Sequence, residues 1–214
     1  MDKKTLELTA LFCLVPQFCF AGVYYESEIH SSIDSAVQHV KTYVSGTQMK
    51  TLVDDKQGWI INLKDQKLVD FNLENHSSSE TSLRQFSSDI DPLGMGIEKH
   101  PQGVLRKMGK RRKLLGCRAN GFKFFLGPHS YEELWVTQEL PFTQEVTNFW
   151  KAFYRSQAME LEQFLGLKSR FELLSKIEGF VLDRKTIMEN FWEEEKVLKV
   201  EERDIPAQVF NPPT

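Results

Sequence analysis

Cysteine is scarce, with three in 214 residues, and two of them, Cys13 and Cys19, fall in a stretch that reads as a secretory leader. With the leader gone Cys117 stands alone, so no intrachain disulfide framework can support the fold. Its neighbours Leu114, Leu115, Phe122 and Phe124 make it read as a small buried hydrophobe, with a reactive thiol or an intermolecular bond as the alternatives. A basic excess is also missing: the formal net charge is −3, which argues against nucleic acid as a partner. The five histidines (His30, His39, His76, His100, His129) are scattered without a His-x-His or His-x-x-x-His pair, so neither a metal nor a cofactor is expected. Neither a Gly-x-Ser-x-Gly elbow nor a glycine-rich phosphate loop occurs, which leaves hydrolase and nucleotide chemistry without an anchor and no catalytic residue to name. No apolar run reaches the ~20 residues of a membrane span. With 41% hydrophobic and 27% charged residues, the composition still suffices for a packed globular domain.

The first residues have the parts of a signal peptide. Met1–Lys4 is short and charged, Leu8–Val15 is uninterrupted and apolar, and Cys19-Phe20-Ala21 places small side chains one and three positions before a cut ahead of Gly22. Bulky Phe12 and Phe18 before the two leader cysteines disfavour a lipid anchor. The expected organisation is a signal peptide at 1–21 and one domain at 22–214, exported to the periplasm or the extracellular space.

From there the first half alternates with period two. Val40, Thr42 and Val44 are followed by Met49, Thr51 and Val53, then Trp59, Ile61 and Leu63, then Val69, Phe71 and Leu73. Brief polar turns such as Asp54–Gly58 separate the runs, and Val23–Ile29 begins them. This is the pattern of an antiparallel meander with one apolar face in need of a cover. Asn75–Ser82 reads as a polar connection, Leu83–Ile90 as a helical turn or two, and Asp91–Gly103 as loop. Strand signals resume at Leu105–Cys117, Gly121–Leu126 and Glu133–Leu140.

One segment reads as a helix, 143–165, with Val146, Trp150, Phe153, Ala158, Leu161 and Leu165 on one side, Thr143 as N-cap, Glu145 at the positive dipole end and Gly166 as the stop. At about 33 Å it could cross a sheet of five or six strands. The tail returns to strands at Ile177–Leu182, Thr186–Trp192 and Val197–Val200. It ends in a proline-bearing segment that can serve as an edge or a tether.

The succession of a leader, a meander, Gly116-Cys117 before a strand, Leu134-Trp135-Val136-Thr137 and then a helix resembles a bacterial secreted family of unknown function. The closing Asp204-Ile205-Pro206-Ala207-Gln208-Val209-Phe210-Asn211-Pro212-Pro213 fits the same family. That family is similar in strand order to periplasmic lipoprotein-carrier-like half-barrels. The resemblance implies an α+β fold: a curved antiparallel sheet, an open half-barrel, with one long helix across its concave face and an apolar cavity between. It transfers no catalytic residue.

With the aromatic load (Phe 16, Trp 4, Tyr 5) facing inward, the interior is either a tight core or a greasy pocket, and both demand the same side chains. The residues expected on that face are Trp59, Ile61, Phe71, Phe122, Phe124, Trp135, Trp150 and Phe153. The expected function is non-catalytic binding or carriage of an apolar or amphipathic ligand, a lipid or acylated peptide, in the bacterial envelope. The alternative is an envelope protein–protein interaction module using a strand edge or the basic hairpin Lys110, Arg111, Arg112, Lys113. That run suits either an anionic surface or a protected sheet edge. Tyr24, Glu26, Glu28 and His30 share one strand face, which fits a solvated outer surface or, as a third reading, a hydrolytic site assembled with distant residues. Glu193-Glu194-Glu195 reads as a solvated strand side.

Overall fold

The computed structural model describes residues 21–83, 104–125, 130–165 and 173–213. The first described strand lies in the middle of the sheet. Strand β1 (Ala21–Ser31) is followed outward by β2 (Gln38–Ser45), β3 (Gln48–Val53), β4 (Gln57–Asn62), β5 (Lys67–Asn72) and β6 (Ser77–Ser82), each antiparallel to the last. The chain resumes at the opposite edge with β7 (Val104–Leu114). It then walks back through β8 (Cys117–Phe125), β9 (Tyr131–Thr137) and β10 (Phe180–Met188) to β11 (Phe191–Asp204), which pairs with β1. The result is an eleven-stranded open antiparallel sheet with β6 and β7 at its two ends. Between β9 and β10 a 3-10 turn (Pro141–Thr143) leads into helix α1 (Gln144–Leu165), so the fold is an α+β open half-barrel.

Several local expectations are revised. Asn75–Ser82 is largely strand β6: its serines pair with Lys67–Asn72 and stay exposed, and a short polar strand is what an unprotected sheet edge requires. The three tail runs are two strands, β10 and β11, joined at Glu189-Asn190. The helix begins at Gln144, and the Thr143 hydroxyl donates to the Leu140 carbonyl at 2.6 Å rather than capping a helix N–H. At the same end the Glu145 carboxylate accepts the Gly46 N–H, tying the start of the helix to the β2–β3 turn. Residues 1–20, all but the last of the expected signal peptide 1–21, residues 84–103, Gly166 and the side chains of Ala158, Leu161 and Leu165 lie outside the described residues.

Helix α1 roofs the inner face of the sheet. Val146, Phe149 and Phe153 are buried against Val23, Tyr25, Val44, Met49, Ile61 and Leu68, with Trp150 half-buried beside them. Trp150 meets Phe149 and Phe153 edge-on, with ring centroids 5.8 and 5.6 Å apart, and stacks on Tyr154 at 5.5 Å. The outer face has an apolar core of its own. After β11 the chain folds back, and Ile205 and Phe210, the latter in a 3-10 turn (Ala207–Phe210), cover Ile60, Phe71, Tyr43, Leu52 and Val69. The proline-bearing end is therefore the tether, while β11 lies at the centre of the sheet.

Candidate functional site

One of the residues expected on the inner face, Phe71, is on the other one. Strand register puts Phe71 opposite Gly58 and Ser78, in the outer cluster beneath Ile205 and Phe210. Leu68, one alternation away, is the β5 residue that reaches the helix side. Trp135 pairs with Gly121 and Asp183 and is buried in the cluster that also holds Val146, Phe149 and Phe153. Its ring carries the Arg112 guanidinium at 4.1 Å, and Arg112 lies 3.8 Å from the Asp183 carboxylate. Phe71 was assigned by hydrophobicity alone, while alternation and a local cover decided its face.

The remaining expected residues are placed as follows. Ile61 and Phe153 belong to the packed inner core, Phe153 being only 7% exposed. Phe124 is buried, and Phe122 pairs with Leu134 and packs with Leu105 in a second cluster that Leu174 and Ile177 cover. Trp59 and Trp150 line a cavity of about 270 Å³ between α1 and the sheet. The cavity's sheet wall includes Tyr25, Thr42, Met49, Thr51, Leu134 and Phe180, and its helix wall includes Val146, Thr147, Trp150 and Tyr154. Its volume falls just below the ~300–1,000 Å³ of clefts that hold drug-sized ligands, a size that suits one narrow chain.

Polar groups enter this apolar space from one side, and the sequence did not single them out. Tyr25 is buried, and its hydroxyl takes hydrogen bonds from Thr42 and the Trp150 indole; burial and the nearby Glu195 carboxylate push its pKa up. The Glu195 carboxylate accepts a bond from the Ser27 hydroxyl at 2.8 Å. Arg184 lies 2.8 Å from Glu132 and donates to the Tyr154 hydroxyl at 3.2 Å. Burial opposes the Arg184 charge, but Glu132 and the groups around it outweigh that and raise its pKa. Burial and then Glu195 raise the Glu193 carboxyl above its ordinary value. The expectation that Glu193 and Glu195 are solvated is thus corrected: they face inward at alternate positions, and Glu194 between them pairs with Lys196 at 3.0 Å. Their signal was the period-two match with inward Val197, masked by the habit of reading acid as surface.

The other candidates resolve as structure. Tyr24, Glu26, Glu28 and His30 stand on the outer face. There Tyr24 donates to Glu26 at 2.7 Å, Glu28 lies 3.6 Å from both His30 and His39, and Arg203 covers the Tyr24 ring at 4.1 Å. Lys110, Arg111, Arg112 and Lys113 are exposed on β7 at the end of the sheet, the position at which basic side chains discourage edge pairing. Cys117 is free and buried. Among the described residues no group of His, Cys, Asp or Glu could hold a metal ion, and no helix is long and apolar enough to cross a membrane.

No family model matches the chain, and no curated protein matches it in sequence. Among solved structures it is similar to an uncharacterized conserved protein from Thermus thermophilus, at 8% identity and a TM-score of 0.52, over 89% of this chain and 84% of that one. It is also similar to a LolA superfamily protein from Nitrosomonas europaea, at 9% identity and a TM-score of 0.32, over 89% of each chain. PNGF-II is similar at 12% identity and a TM-score of 0.46, and there 89% of this chain spans 29% of the other's length. At such identities the likeness is one of fold.

Proposed function

We propose that this protein is an exported, non-catalytic binding or carrier protein of the bacterial envelope, taking an apolar or amphipathic ligand, a lipid or acylated peptide, into the space under α1. The observation that supports this reading is the cavity of about 270 Å³, kept open between an aromatic helix face and a sheet that could have closed on it. Filled interiors are the rule in proteins of this size, and apolar voids lined by aromatic side chains are where small hydrophobic ligands bind. The leader pattern at 1–21 supports export. The test is a delipidated sample titrated with a fluorescent fatty-acyl probe, alongside mass spectrometry of the protein as purified. Saturable binding that Trp150→Ala weakens about tenfold is expected, a loss of about 1.4 kcal/mol. A sample with neither co-purifying lipid nor probe binding overturns the proposal.

A further inference from the structure

The polar end of the cavity has a sign. By strand register Glu195 stands opposite Arg184 and Ile29, Glu193 opposite Thr186 and Ser31, and Glu132 opposite Thr186 on the other side. Glu132, Glu193 and Glu195 therefore share one patch of the inner face with a single guanidinium. Arg184 is committed to Glu132, at 2.8 Å, and to the Tyr154 hydroxyl. From the helix side Lys151 reaches the cavity wall, but it is bound to Glu178 at 3.1 Å. Asp183, out of phase with this row, also borders the cavity and lies 3.8 Å from the Arg112 guanidinium. Among the described residues the patch thus keeps two carboxylates in excess of its cation. One buried acceptor and one buried donor there lack a hydrogen-bond partner: Glu132, 2% exposed, at its Oε2, and Arg184 at its Nε, which faces the other Glu132 oxygen at 2.8 Å without hydrogen-bond alignment. A buried carboxylate oxygen left without a donor is costly, and such a group is satisfied when a donor arrives with a ligand.

We infer that the ligand of this cavity is a primary alkylammonium, a chain of medium length whose –NH3+ group is held by Glu193 and Glu195 with Glu132 behind them. An anionic head would have to displace Glu132 from Arg184 and sit against two further carboxylates, and like charges at such range are repulsive. A cation meets the Glu193 and Glu195 carboxylates, with Arg184 turned to Glu132. This inference rests on the binding reading above and adds the chemistry of the head group.

The experiment titrates decylamine, decanol and decanoate into the delipidated full chain by calorimetry at neutral pH and low salt. Decylamine is expected to bind at least about tenfold more tightly than decanol, the worth of one hydrogen bond to a charged group, and decanoate more weakly than decanol. The double variant E193Q/E195Q, or E193Q alone if the double variant lacks a native circular-dichroism spectrum, should bring decylamine down toward the affinity of decanol. Decanoate binding as tightly as decylamine overturns the inference and leaves the cavity reading standing. A preference for the amine that survives both substitutions does the same. If decanol and both charged probes all fail to bind, the cavity reading falls and this inference falls with it.

Discussion

Arg184→Met isolates the ion pair that reaches inside the half-barrel. The Glu132 side chain is 3% exposed and that of Arg184 31%, so removing the guanidinium strands a carboxylate from which water is almost wholly excluded. Breaking a buried pair from one side costs about 3–5 kcal/mol. Because a third of the Arg184 side chain is open to solvent, which already screens the pair, the lower figure applies, about 3 kcal/mol. Glu132→Gln alone leaves a partly solvated cation that still faces Glu195, at a cost of about 1 kcal/mol. In the double variant the orphaned charge is gone and Met fills part of the space, so its stability should lie within about 1 kcal/mol of the parent. The expected coupling is therefore about 3 kcal/mol, read from urea unfolding of all four proteins at pH 7 with comparable denaturant slopes. A double variant whose loss equals the sum of the two single losses would refute the reasoning, because it would mean that the two groups do not interact in the native protein.

Two further outcomes follow from the same coordinates. Glu193 has a folded-state pKa raised by burial and by Glu195, so its contribution to stability is full below the unfolded carboxyl value of about 4.3 and is lost as pH rises through the folded value. Glu193→Gln should accordingly raise the urea midpoint at pH 7 and leave it unchanged near pH 4, and equal effects at both pH values would contradict the assignment. Gly58 stands where a Cβ would lie 1.9 Å from the Thr51 carbonyl oxygen and 3.0 Å from the Phe71 ring. Gly58→Ala should cost about 3 kcal/mol and lower the melting temperature by about 6–12 °C, whereas an unchanged melting temperature would mean that β3 and β4 do not approach so closely.

What could be read from the residues was whatever is local. The alternation of Val40–Val44 and Met49–Val53 produces β2 and β3 because neighbouring strands joined by short turns need no distant information. The pairing of Ala21–Ser31 with Phe191–Asp204 joins the two ends of the domain, and no local pattern announces it. Leu68–Leu73 shows how a face can be misjudged. The run offers Leu68 on one side and Val69, Phe71 and Leu73 on the other, and the apolar majority faces outward because Ile205 and Phe210, more than 130 residues later, fold back to cover it. The inward acids failed for the opposite reason. Glu193 and Glu195 alternate as inner-face residues should, but an acidic side chain is expected in water until Ser27, Tyr25 and Arg184 are seen around it.

The position of the cavity follows from side-chain size along one row of the sheet. Where β1, β2 and β3 run side by side, Tyr25, Thr42 and Thr51 stand opposite one another at buried inner positions, with the two threonine hydroxyls 3.4 Å apart. Thr147 answers them from the helix, buried as well. To one side of that row the inner face carries Val23, Val44, Met49 and Ile61 and closes tightly on Phe149 and Phe153. At Thr42 and Thr51 the side chains shorten, while Tyr25, opposite Thr42, meets the Trp150 indole across the gap. Isoleucine at Thr42 or Thr51 would take up part of the space and is as well suited to a strand. Small hydroxylated residues there, under an aromatic roof, make the opening a property of the chain's chemistry, and they place it beside the carboxylates that give its far end a charge.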